Sequence, residues 1–171
     1  MKTLLRFFGL LLLVFSFNSC EITFNDVDDD DFDNEFKIDG HWYHFDDDAY
    51  YYSTEYKGET AYQLYMVTSG VRYSSTDRSF RGDDYFVSAI ITGAEYPQEG
   101  TFKVGGCAVL YYGDTNPDDD YDFSSKSSFK AKNGKIVIRE KRSGMYTIEF
   151  EFETKTGTKV EGEFEGYLYE I

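Results

Sequence analysis

Tyr146-Thr147-Ile148-Glu149-Phe150-Glu151-Phe152-Glu153 alternates apolar with polar or charged residues, and so do its flanks, Lys135-Ile136-Val137-Ile138-Arg139 and Lys159-Val160-Glu161-Gly162-Glu163-Phe164-Glu165-Gly166-Tyr167-Leu168-Tyr169. Successive side chains of a strand point to opposite faces, so this alternation describes strands with one dry face and one wet face. Ile136, Ile138, Ile148, Phe150, Phe152, Val160 and Phe164 form the expected core set, while Lys135, Arg139, Glu149, Glu151, Glu161 and Glu163 face water. Setting Ile138 opposite Phe150 and Ile136 opposite Phe152 places Arg139 beside Glu149 and Lys135 beside Glu153. A turn about Thr156 then sets Glu151 against Glu161 and Glu149 against Glu163, an acidic stripe. Gly162 and Gly166 mark points where a barrel bends or a neighbour approaches closely.

Period-2 patterning continues back to Phe36, with no sustained helical period. Phe36-Lys37-Ile38 and His41-Trp42-Tyr43-His44-Phe45 flank Asp39-Gly40, a pair suited to a two-residue hairpin turn with positive φ at both positions. Further strands are expected at 50–56, 60–68, 85–92, 101–104, 107–112, 127–132, 135–141, 146–153 and 159–169. Residues 85–92 and 107–112 are apolar on both faces, as in central strands or strands beneath another layer. The predicted fold class is all-β: an antiparallel β-sandwich or flattened β-barrel of about 8–10 short strands.

The chain of 171 residues carries 32 acidic and 17 basic side chains, a net charge of −15. That fits a single domain and argues against nucleic acid or an anionic lipid surface as partner, since both would repel it. Sixteen Tyr and sixteen Phe supply core material that a disordered acidic chain would lack.

At the N-terminus, Lys2 and Arg6 precede an apolar stretch ending at Phe17, followed by Asn18, Ser19 and Cys20. This is the order of a secretory signal peptide, and the stretch from Leu4 to Phe17 is shorter than the roughly 20 residues of a spanning helix. Cys20 resembles the lipobox cysteine of bacterial lipoproteins, with Phe17 and Asn18 departing from the commoner residues. The resemblance is to small Bacteroidetes lipoproteins with a β-rich domain. It extends to Tyr96-Pro97-Gln98-Glu99-Gly100-Thr101-Phe102 and to the turn-and-strand pattern of the last strands. It implies signal peptidase cleavage after residue 19, acylation of Cys20 and an outer-membrane lipoprotein, for which the acidic run Asp28-Asp29-Asp30-Asp31 points to cell-surface exposure, the alternative being the periplasmic leaflet. The expected organisation is a leader over 1–19, an acidic tether over 20–35 and one β-rich domain over 36–171. The alternative is a secreted protein in which Cys20 pairs with Cys107.

Candidate sites are few. His41 and His44, the only histidines, are three apart and so point to opposite faces of a strand, which is poor spacing for one metal. Asn116, Asp118, Asp120 and Asp122 imitate the alternating ligands of a Ca²⁺ loop, but Tyr121 and Ser127 stand where that loop needs Gly and Glu. The alternative is a solvated charge run. The segment from Gly70 to Asp83, read as a loop, holds Arg72, Arg78 and Arg81, which offer contacts to an anion; the favoured alternative is that they neutralise nearby Asp residues of the same chain. Tyr167 and Tyr169 share the outward parity of the glutamates and are the best candidates for exposed aromatics. There is no nucleophile elbow and no Gly-rich phosphate loop, so no catalytic residue is assigned.

The expected function is a membrane-anchored envelope lipoprotein whose β domain binds a glycan or an envelope protein, or serves structurally. The alternative is a small hydrolase using paired carboxylates on an envelope or extracellular polymer. Replacing Cys20 by Ser is expected to abolish labelling by a fatty-acid analogue and release the protein from membranes. Labelling that persists in Cys20→Ser contradicts the anchor.

Overall fold

The structure, a computed structural model, describes residues 33–105, 108–112, 128–142 and 144–171. The leader, Cys20, Cys107 and the 114–122 loop with its Ca²⁺ candidates lie outside the described residues. From residue 31 onward the chain forms one compact unit. Its strands are β1 (Glu35–Ile38), β2 (His41–Tyr56), β3 (Glu59–Thr68), β4 (Val71–Ser74), β5 (Ser79–Gly82), β6 (Tyr85–Thr92), β7 (Gly100–Lys103), β8 (Ala108–Tyr112), β9 (Ser128–Arg142), β10 (Met145–Thr154) and β11 (Lys159–Glu170). The fold is all-β, as the alternation required. The wall begins slightly before the expected boundary at 36: Glu35 is already in β1, and Asn34 bonds from its Nδ2 to the Glu165 carbonyl at 2.9 Å.

Nine strands form one sheet in the order β10-β11-β1-β2-β3-β6-β8-β9-β7, and β9 pairs in addition with β10. The pairings therefore run in a closed circuit, a flattened barrel with β7 attached along β9. Closure removes most of the free edge that an open sheet would present. All neighbours are antiparallel except β11 and β2, which run parallel over Tyr167↔Asp48 to Glu170↔Tyr51, beyond the end of the short β1.

Local turn chemistry sets the hairpins. Asp39 and Gly40 take φ of 47° and 92°, and Lys57 and Gly58 take 55° and 82°, the two-positive-φ geometry that matches strand twist. Two pairs of predicted strands are continuous: 41–45 and 50–56 are both within β2, and 127–132 and 135–141 both fall in β9. β2 stays continuous through a bulge, since Phe45 faces Thr68 while Ala49 faces Met66, leaving Asp46, Asp47 and Asp48 opposite Val67 alone.

The expected inward set is buried: Ile136, Ile138, Ile148, Phe150, Phe152, Val160 and Phe164 pack with Phe36, Phe45, Tyr62, Leu64 and Met66 in the barrel interior. β11 follows β10 in the expected register, with Glu151 opposite Glu161 and Glu149 opposite Glu163. The β9–β10 register is corrected by two residues. Ile138 faces Ile148 and Ile136 faces Phe150; the turn, with Met145 opposite Arg142, accounts for one residue of the shift and the bulge between Met145 and Tyr146 for the other. A shift of two preserves parity, so the core set survives; Lys135 moves from Glu153 to Glu151, which it reaches at 3.4 Å, while Arg139 keeps its expected partner Glu149, now along the diagonal.

The segment read as an arginine-bearing loop is the hairpin β4–β5. Val71 and Phe80 turn inward to a second apolar cluster with Tyr65, Val67 and Phe86 on the outer face of β3 and β6. Phe80 lies 4.5 Å from Tyr65 and 5.5 Å from Phe86, ring centre to ring centre. This is the layer that the doubly apolar β6 called for.

Phe150→Ala is expected to cost about 3–5 kcal/mol in chemical denaturation, whereas Glu151→Ala, which removes only an exposed ion pair, changes stability by less than about 1 kcal/mol. Equal sensitivity at the two positions would contradict the parity.

Candidate functional site

The outer wall carries its charges in rows. Lys135, Glu151, Glu161 and Lys37 lie side by side on β9, β10, β11 and β1, and the next row holds Glu149, Glu163, Glu35 and His44. Most of these carboxylates have a cation of their own. Glu161 has Lys37 at 3.9 Å, Glu153 has Lys132 at 3.8 Å and Glu165 has Lys141 at 2.8 Å, while the Glu35 carboxylate lies 3.9 Å from the His44 Nδ1. A groove of about 230 Å³ runs past Asn133, Gly134, Glu151, Glu153, Lys159 and Glu161. Its acids all belong to these exposed pairs.

A different surface lies where β11 meets β2. Tyr167 stands beside Asp48 and Tyr169 beside Tyr50, so two residues from each strand make a block on the outer face. Tyr167 and Tyr169 are 43% and 46% exposed, with ring centres 6.4 Å apart, and Tyr169 lies another 6.4 Å from Tyr50. Tyr50 continues the strip to Tyr73 at 5.7 Å and Phe80 at 5.9 Å, under the β4–β5 hairpin. Burial, then the negative charges of Asp48 and Asp46, push the Tyr50 hydroxyl above the ordinary tyrosine range. The bulge presents Asp46, Asp47 and Asp48 at the border of this strip, and Gly166 admits it, since a Cβ there would lie 2.2 Å from the Asp47 carbonyl oxygen.

Sequence reasoning found Tyr167 and Tyr169 by parity but not their partners, because no local pattern announces a parallel contact between β11 and β2. It grouped Arg72, Arg78 and Arg81 with these tyrosines as ligand contacts, and the fold separates them. Arg72 and Arg81 face each other on the side of the hairpin opposite Tyr73 and Phe80, Arg78 sits in its turn at φ 49°, and Arg81 is engaged by Asp77. Trp42, 54% exposed, carries the Lys37 ammonium 4.9 Å from its ring centre. His44 shares the outer face with Trp42, whereas His41 has the opposite parity.

No protein-family model, curated protein or solved structure matches the chain significantly. The site must therefore be read from its own chemistry.

Inside the barrel, Tyr62 is fully buried and meets Tyr51 edge-on at 6.4 Å. Burial drives its hydroxyl well above the ordinary value of 10.0, against the lowering influence of the Gln98 backbone. Burial and nearby acids also raise Tyr51 and Tyr146. Above pH 10 the unfolded chain loses a proton that native Tyr62 keeps, so the native state binds more protons and stability falls as pH rises. Tyr62→Phe is expected to reduce that fall. Denaturant midpoints on either side of pH 10 measure it, and an unchanged alkaline slope in Tyr62→Phe contradicts the assignment.

Proposed function

We propose that this protein is a lipid-anchored cell-envelope protein whose β-barrel acts by binding, through its outer wall, to a glycan or a protein of the envelope. The anchor is Cys20 at the end of the leader, in the manner of outer-membrane lipoproteins. The acidic stretch after it is a solvated spacer that holds the barrel away from the lipid and is compatible with display at the cell surface.

The observation that carries the reading is the exposed pair Tyr167 and Tyr169, aligned with Tyr50 on one sheet face. Aromatic rings held on a strand provide a rigid, amphipathic contact surface that loses little side-chain entropy on binding. The interior supports the same reading, because its space is taken by large side chains such as Phe36, Phe45, Tyr62, Phe150 and Phe164. The carboxylates of the outer groove face lysines on an open wall rather than each other across a cleft, which favours binding over acid–base hydrolysis.

The test is a glycan and protein array probed with the leaderless protein, run beside an activity panel on polysaccharides, peptides and esters. Array binding that is lost in Tyr167→Ala, without turnover of any substrate, is the expected outcome. Turnover abolished by changing one groove glutamate to glutamine would replace this reading with the hydrolase.

A further inference from the structure

We infer that the block formed by Asp48, Tyr50, Tyr167 and Tyr169 docks an arginine-bearing polypeptide segment, with guanidinium groups over the tyrosine rings and in contact with the Asp46 and Asp48 carboxylates. This rests on the reading of the outer wall as the binding surface and specifies the chemistry of its partner.

Charge complementarity carries the argument. On the neighbouring wall the protein answers its own acids, with Glu149, Glu151, Glu153, Glu161 and Glu165 each within ion-pair reach of a Lys or Arg. Among the described residues no ion pair reaches Asp46 or Asp48, whose charges act on Tyr50 at the edge of the tyrosine block. Arg142, in register with Met145 and through it with Tyr167, directs its Nε to the Met145 sulfur at 3.2 Å. Elsewhere on the surface two rings carry one of the protein's own cations, Lys37 over the exposed Trp42 and Lys57 over the half-buried Tyr56, each at 4.9 Å, whereas among the described residues the exposed Tyr96 stands alone without an acidic border of this kind. No such cation covers Tyr50, Tyr167 or Tyr169 among the described residues. A ring face is negative, and so are the adjacent carboxylates, so both parts of the block select a cation. Arginine suits both at once, because its planar guanidinium stacks on an aromatic face while its N–H fork pairs with carboxylate. A neutral glycan would stack on the rings and leave the acidic charge uncompensated.

The experiment uses the full chain in detergent micelles and three probes: a short arginine-rich peptide, a lysine peptide of equal charge and length, and a neutral polysaccharide. The arginine peptide is expected to bind more tightly than the lysine peptide. Tyr167→Ala combined with Tyr169→Ala should weaken it about tenfold, the sum of two exposed cation–π contacts, while the corresponding Phe variants retain it. Asp46→Asn with Asp48→Asn should weaken binding and flatten its salt dependence. Glu151→Gln with Glu161→Gln, which removes the same charge from the ion-paired wall, should change affinity less than about twofold. Equal losses in the two charge variants, or no preference for arginine, overturn the inference in favour of general attraction to an acidic protein. Polysaccharide binding that depends on Tyr167 and Tyr169, without arginine-peptide binding, overturns the inference and leaves outer-wall binding standing. Indifference of all three probes to those tyrosines removes both.

Discussion

The barrel depends on a fit between large rings and absent side chains. Its interior holds Phe36, Phe45, Phe150, Phe152 and Phe164 together, and a barrel this narrow accepts most of them only where the facing strand yields space. Phe150 and Phe36 both stand opposite Gly162, and a Cβ there would come within 2.8 Å of the Phe150 ring and 2.4 Å of the Phe36 Cβ. Phe152 stands opposite Gly134, where a Cβ would lie 2.4 Å from the phenylalanine's own Cβ. Tyr146 faces Gly166. Phe36, Phe150, Phe152 and Tyr146 thus each lie across a glycine, so burial of the ring covers the weakness that glycine brings to a strand, while Phe45 and Phe164 stand opposite Thr68 and Ile148.

That pairing also explains how the outer surface is organised. Gly166 lets the Asp47 backbone approach β11, and β2 bulges at that point and runs on beside the last residues of β11. Tyr167 and Tyr169 are thereby set against Asp48 and Tyr50. An interior packing requirement at an even position of β11 fixes which odd-position aromatics meet which acids outside. The rest of the wall is self-compensating, its Lys and Arg residues placed one strand away from the glutamates that would otherwise repel one another across Glu151↔Glu161 and Glu149↔Glu163.

The hairpin β4–β5 contributes a second layer with little sequence of its own. Val71 and Phe80 are its buried apolar anchors, and both reach a cluster founded on β3 and β6. Tyr73 packs beside Phe80, and the segment reads as a loop because three inward side chains split between two short strands are too few to display a period.

Much of the fold is legible in the chain because a strand's side-chain period is a local property. The core set from Ile136 to Phe164, the turns at Asp39-Gly40 and Thr156, and the outward aim of Tyr167 and Tyr169 all follow from alternation and turn chemistry. The β9–β10 register does not, since the turn and the bulge beside Met145 together slide it by two residues, which moves Lys135 from Glu153 to Glu151 without changing which face is apolar. Neither does the candidate site in full. Tyr169 and Tyr50 are far apart in sequence and meet only because the wall closes and a bulge lets β2 run parallel to β11. The sequence by itself determined the fold class and the parity of the last three strands, because these rest on contacts between neighbours along the chain. The tertiary structure decided which strands adjoin, and so which tyrosines and carboxylates share a surface, because closure is settled by how the interior rings and glycines fit together.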